Sequence, residues 1–141
     1  MKYRNGFVSN SSSSSFVVLK DALTEDQMDK IFNYQWWIEK LIDEDEIKWV
    51  TYSYDNNRLK NRFEYYKSDT WNLKNTEDYI FGETSMDNFS FDQFLDYIKV
   101  DQNYVKWDDG YTDEPYPSQL QFIQRMKQKY RKEKIDKLNN L

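Results

Sequence analysis

Three stretches of the chain place apolar residues at helical spacing behind the same kind of start signal. In "LTEDQM", Thr24 stands as an N-cap with Gln27 three residues on to close a capping box, and Leu23 and Met28 are spaced for a hydrophobic staple. "FSFDQF" repeats the arrangement, with Ser90 and Gln93 for the box and Phe89 and Phe94 for the staple. "PSQLQF" repeats the box with Ser118 and Gln121 behind Pro117. The pattern predicts helices over about 25–43, 91–100 and 119–138.

The middle helix has a simple apolar face, Phe91, Phe94, Leu95 and Ile98, opposite Asp92, Asp96 and Lys99. The last carries a stripe of Leu120, Ile123, Met126 and Tyr130 that Lys134 interrupts, so its final turns should extend past the body or fray. The first is apolar over too wide an arc for one contact. Met28, Ile31, Phe32, Ile38 and Ile42 make an inward face, while Tyr34, Trp37 and Leu41 form a second stripe about 100° around the helix. Trp36 lies on yet another side. Either this helix is sandwiched between sheet and C-terminal helix, or Tyr34, Trp37 and Leu41 anchor a protein partner or a second copy of the chain.

Strand signals are shorter. "FVVLK" at 16–20 is β-branched and ends just before the first helix; "IKWVTYSY" at 47–54 alternates, with one aromatic-rich face carrying Tyr52 and Tyr54. "RFEYYKS" at 62–68 reads as its hairpin partner or as a short helix. "DYIFGE" at 78–83 and "NYVKW" at 103–107 complete the set, with Asp109-Gly110 as a turn. The sum is an α+β fold with a mostly antiparallel sheet. A length of 141 residues suits one domain, 16–141, ending in a basic helix and preceded by a Ser-rich arm, 1–15.

Composition then narrows the chemistry. With neither Cys nor His, the chain offers no thiolate nucleophile, disulfide, zinc finger or Ser-His-Asp triad. No apolar run approaches the length of a membrane span, and the N-terminus lacks the apolar core of a signal peptide, which leaves the cytoplasm as the expected location. Charge is uneven: residues 21–117 carry 10 basic and 23 acidic side chains, residues 118–141 carry 7 and 2. The basic tail could meet phosphates, but the acidic body it is attached to argues against nucleic acid.

Carboxylates are the only enzymatic raw material. Asp43 to Glu46 and the Asp108 to Glu114 segment are the two dense clusters, and neither has the spacing of an EF-hand loop. Both read first as solvated acidic loops. No catalytic, cofactor or metal residue is therefore assigned, and a divalent-metal enzyme acting on nucleotides or nucleic acid stands as the alternative to a binding role.

The segment "RNGFVSNSSSSSF" at 4–16 is low-complexity serine held between Phe-Val pairs, and reads as a flexible arm or tethered loop. "MKYRNGFVSNSSSSSFVV" resembles the opening shared by many small, otherwise dissimilar proteins of bacteriophages and prophage-like elements. Its matching positions are Arg4, Gly6, Phe7, Val8, Ser9, Asn10 and Phe16, followed by the β-branched run. The resemblance covers residues 1–18 and implies a phage or mobile-element origin, with the host cytoplasm as location. It also implies a segment separable from the work of the body. Joined to the missing catalytic signature, it leads to the expectation of a small non-enzymatic protein that binds and modulates a host or defence-system protein, an anti-defence inhibitor being the sharpest form. A virion or assembly component is a further alternative, and self-association is compatible with any of these.

Overall fold

Ser14 to Leu19 form strand β1, and all six residues are buried. An apolar run such as Phe16-Val17-Val18-Leu19 has no polar face to offer water, so it belongs in a strand covered on both sides. The computed structural model describes residues 13–43, 71–85, 91–110 and 112–140, and there β1 occupies the interior of a four-stranded antiparallel sheet of order β2-β3-β1-β4. The other strands are β2 (Asn72–Asn75), β3 (Tyr79–Thr84) and β4 (Val105–Asp109). Ser15 sits opposite Glu83 on one side and Asp108 on the other, and Phe16 sits between Gly82 and Trp107.

The fold is α+β, as the periodicities predict, but several boundaries move. β1 begins at Ser14, so the last two residues of the 1–15 segment belong to the sheet. Serine has little strand propensity of its own; pairing with β3 and β4 on both edges overrides it. Gly110, at a left-handed φ of 98°, donates its N–H to the Ser13 carbonyl and so leads the chain away from β4 towards a helix instead of closing a hairpin. Residues 102–104 form a single 3-10 turn, started by Asp101 Oδ1 accepting from Asn103 N–H, and β4 follows it. β2, with the sequence NLKN, has no apolar alternation to announce it. The expected strands at 47–54 and 62–68, with Trp49, Tyr52 and Tyr54, lie outside the described residues, as do Ser90, Phe89, acidic residues 44–46 and positions 4–10 of the N-terminal motif.

Four α-helices are present among the described residues: α1 (Glu25–Phe32), α2 (Tyr34–Asp43), α3 (Phe91–Tyr97) and α4 (Pro117–Asn139). Thr24 and Gln27 close their capping box at 2.9 and 3.0 Å. The Gln27 amide also donates to the carbonyls of Ile98 and Lys99, tying the start of α1 to the end of α3. The single helix expected over 25–43 is broken at Asn33, whose side-chain amide donates to the Asp29 carbonyl and carboxylate and competes for the backbone there. α3 is shorter than expected because Lys99 turns left-handed (φ 66°), with Lys99 N–H on the Asp96 carbonyl and Val100 N–H on the Leu95 carbonyl, a Schellman ending.

α4 starts earlier than the Ser118/Gln121 box would place it. Pro117 takes the first helical position, where its missing N–H costs nothing, and Gln119 accepts from Tyr116 N–H at 2.9 Å. Ser118 is inside the helix and donates instead to Asp108 Oδ2.

The sheet separates two apolar layers. On one face Phe16, Val18, Ile80 and Val105 pack with Ile31, Tyr34, Ile38, Phe91, Phe94 and Leu95 of α1, α2 and α3. On the other, Val17, Leu19, Phe81 and Tyr104 pack with Ile123 of α4. Among the described residues no helix is long and apolar enough to cross a membrane.

Candidate functional site

The second aromatic stripe of the sequence divides once folded. Tyr34 is only 6% exposed, its ring 4.9 Å from that of Phe91, and its hydroxyl accepts Trp71 N–H at 2.9 Å. Burial pushes its pKa up to about 12, against the opposing pull of the Trp71 hydrogen bond. As a surface anchor Tyr34 is therefore corrected to a core residue: its one polar atom is committed inward. Trp37 is half-buried and rests against the same core. Leu41 lies on α2, and its side chain is outside the description.

The exposed aromatic is the neighbour that belonged to neither stripe. Trp36 is 58% exposed, and its ring stands edge-on to Trp37 at 4.9 Å and 88°. Lys40 Nζ lies over both rings, 5.2 Å from Trp36 and 5.5 Å from Trp37, and Lys30 Nζ lies 5.1 Å over Trp37 while pairing with Asp26. Helical spacing explains the cluster, because Trp36 and Trp37 are four and three residues before Lys40. Packing of Trp37 on the core gives the exposed indole of Trp36 an aromatic surface to stand against. Phe32 is exposed at the end of α1 close by in sequence.

A second polar arrangement lies on the α4 face of the sheet. Asn72, Glu83, Ser15 and Asp108 stand opposite one another across all four strands. The first turn of α4 covers part of this row: Gln119, fully buried, donates to Ser15 Oγ at 3.1 Å, and Ser118 donates to Asp108. Asn72 donates to Glu83 Oε2 at 3.0 Å, while the buried Oε1 has no partner. Burial holds the Glu83 carboxyl above the usual carboxylate range, Asn72 works against that, Asp113 reinforces it and Lys74 opposes it. A neighbouring pocket of about 290 Å³ is lined by Lys74, Thr76, Tyr79, Phe81, Asp113, Glu114 and Pro115. Lys74 also donates to the Asp113 carbonyl across its mouth.

Of the acidic cluster at 108–114, Asp108 is tied to Ser118 and to Asp109 N–H, and Asp113 accepts from Lys74 through its backbone. Among the described residues no three carboxylates gather into a metal-holding group. Within the N-terminal motif, Phe16 is at the centre of the core, 4.9 Å from Trp107, 5.2 Å from Phe91 and 5.6 Å from Trp71. Glu83, Gln119 and Trp71 were not marked by any sequence pattern; Gln119 bonds Ser15 and Trp71 bonds Tyr34, partners far away in the chain.

The chain matches no family model, no curated protein and no solved structure.

Proposed function

We propose that this is a partner-binding protein without catalysis, and that Trp36 is its anchor. The observation that carries the reading is a large aromatic side chain, 58% exposed, standing edge-on against Trp37 and flanked by Lys40. Trp is among the side chains on which binding energy concentrates at protein interfaces. The complementary surface would supply an apolar recess for the indole and a carboxylate for Lys40, so the partner is a protein with an acidic rim around an apolar site.

The N-terminal resemblance supports placing that partner in a bacterial host, in the cytoplasm, where a phage-encoded product would meet host or defence proteins. Affinity capture from a bacterial lysate, run in parallel with wild-type and Trp36→Ala baits, tests the reading. A protein retained by the first and lost by the second supports it; identical profiles argue against it.

A further inference from the structure

The end of α4 beyond Glu133 is exposed along its whole length. The helix is anchored as far as Tyr130, whose ring stands 5.7 Å from Tyr104, and Glu133, whose carboxylate accepts the Tyr104 hydroxyl at 2.7 Å. Residues 131–140 are all exposed, and at about 1.5 Å per residue they make an arm of roughly 15 Å. Two apolar side chains on it, Ile135 and Leu138, are 56% and 62% exposed. With Arg131 they follow an i, i+4, i+7 line, so one face of the arm reads base, apolar, apolar, with Lys132, Lys134 and Lys137 beside it.

The converse line exists elsewhere on the surface. On α1, Glu25, Asp29 and Phe32 are exposed at i, i+4 and i+7, reading acid, acid, aromatic. α1 packs through Ile31 on the sheet face opposite to the one that holds α4 through Ile123, so the chain's own α1 does not cover the exposed arm. Aligned in parallel, the two lines match along their length, with Arg131 towards Glu25 and Asp29, and Ile135 and Leu138 towards Phe32. A parallel pairing of two α4 arms would instead set like charges together.

We infer that the α4 arm of one copy docks on α1 of a second copy, giving an association driven by charge and closed by a small apolar contact. Trp36 and the row around Glu83 take no part, so this goes beyond the partner-binding reading and can fail independently of it. Surface charge pairs of this kind are screened by salt, so the assembly should be ionic-strength dependent.

The test is the mass of the full chain by light scattering and sedimentation at low and high salt. The expected result is a species heavier than the 17.4 kDa monomer at low salt that dissociates as salt rises. Arg131→Glu and Leu138→Glu, both at exposed positions, should each weaken association about tenfold or more without changing the thermal midpoint. Glu25→Arg combined with Arg131→Glu should recover it. A wild-type chain that is monomeric at about 100 μM in low salt overturns the inference, because productive charge-steered contacts are populated in that range. So does association that neither single variant weakens, or that the charge exchange fails to recover.

Discussion

The amide of Gln119 donates to the hydroxyl of Ser15 at 3.1 Å, a fully buried bond between residues 104 positions apart. It fastens the first turn of α4 to the central strand at the point where the serine run enters the sheet. The same Gln119 accepts from Tyr116 N–H, so one side chain both caps the helix and positions it. Ser15→Ala should leave a buried amide hydrogen without an acceptor and destabilise the protein by about 1–3 kcal/mol in urea denaturation. Deleting residues 1–15 removes both Ser14 and Ser15 from a strand paired on each edge and should unfold the domain; retention of a cooperative transition near the wild-type midpoint would show β1 to be dispensable before Phe16.

Gly82 allows Phe16 to lie across β3. A Cβ at position 82 would come within 2.4 and 2.6 Å of the Phe16 ring, which is wholly buried. Gly82→Ala is expected to cost about 1–3 kcal/mol through overpacking. Phe16→Leu should relieve part of that cost in the double variant, so that the two losses are less than additive. Strict additivity in denaturation experiments would place the cause elsewhere.

Glu83 predicts a slope in stability against pH. Because burial raises its folded pKa above the unfolded value, the folded state keeps a proton that the unfolded state has released as pH climbs out of the usual carboxylate range. Stability should therefore fall as pH rises through the interval between the two values, and the loss should persist above it. Glu83→Gln removes this contribution, and unfolding free energies measured across that interval should be flatter in the variant; parallel curves would mean the carboxyl titrates normally.

Tyr34 and Tyr104 make stability depend on pH in the alkaline range as well. Burial raises the first to about 12, and the hydrogen bond to Glu133, followed by burial, raises the second to about 12. Both contribute stability that is present below the ordinary tyrosine value and lost as pH rises towards 12. Tyr104→Phe should flatten the loss between about pH 10 and 12, read by circular dichroism at fixed urea concentration.

The parts of this fold that sequence could disclose are those whose signals are local. Thr24 and Gln27 closed the box their spacing announces, and Phe91, Phe94 and Leu95 face inward as their period requires. The break at Asn33 was hidden because the apolar period runs on through it, while the Asn33 amide, not periodicity, decides the backbone. Ser14 and Ser15 look like linker by composition; only pairing to β3 and β4 makes them strand. The same limit governs the site. Periodicity marked Tyr34, Trp37 and Leu41, yet Tyr34 is drawn inside by the N–H of Trp71, 37 residues away, and the exposed indole is that of Trp36.

If Trp36 is the anchor proposed above and Trp37 its support, calorimetric titration will show it in the affinity of the partner cross-linked from a photoreactive residue at position 36, measured for wild type, Trp36→Ala and Leu120→Ala. Trp36→Ala should lose about 2 kcal/mol of binding, near thirtyfold, with an unchanged thermal midpoint, and the exposed Leu120 should be neutral. Binding by Trp36→Ala at wild-type affinity would contradict the claim.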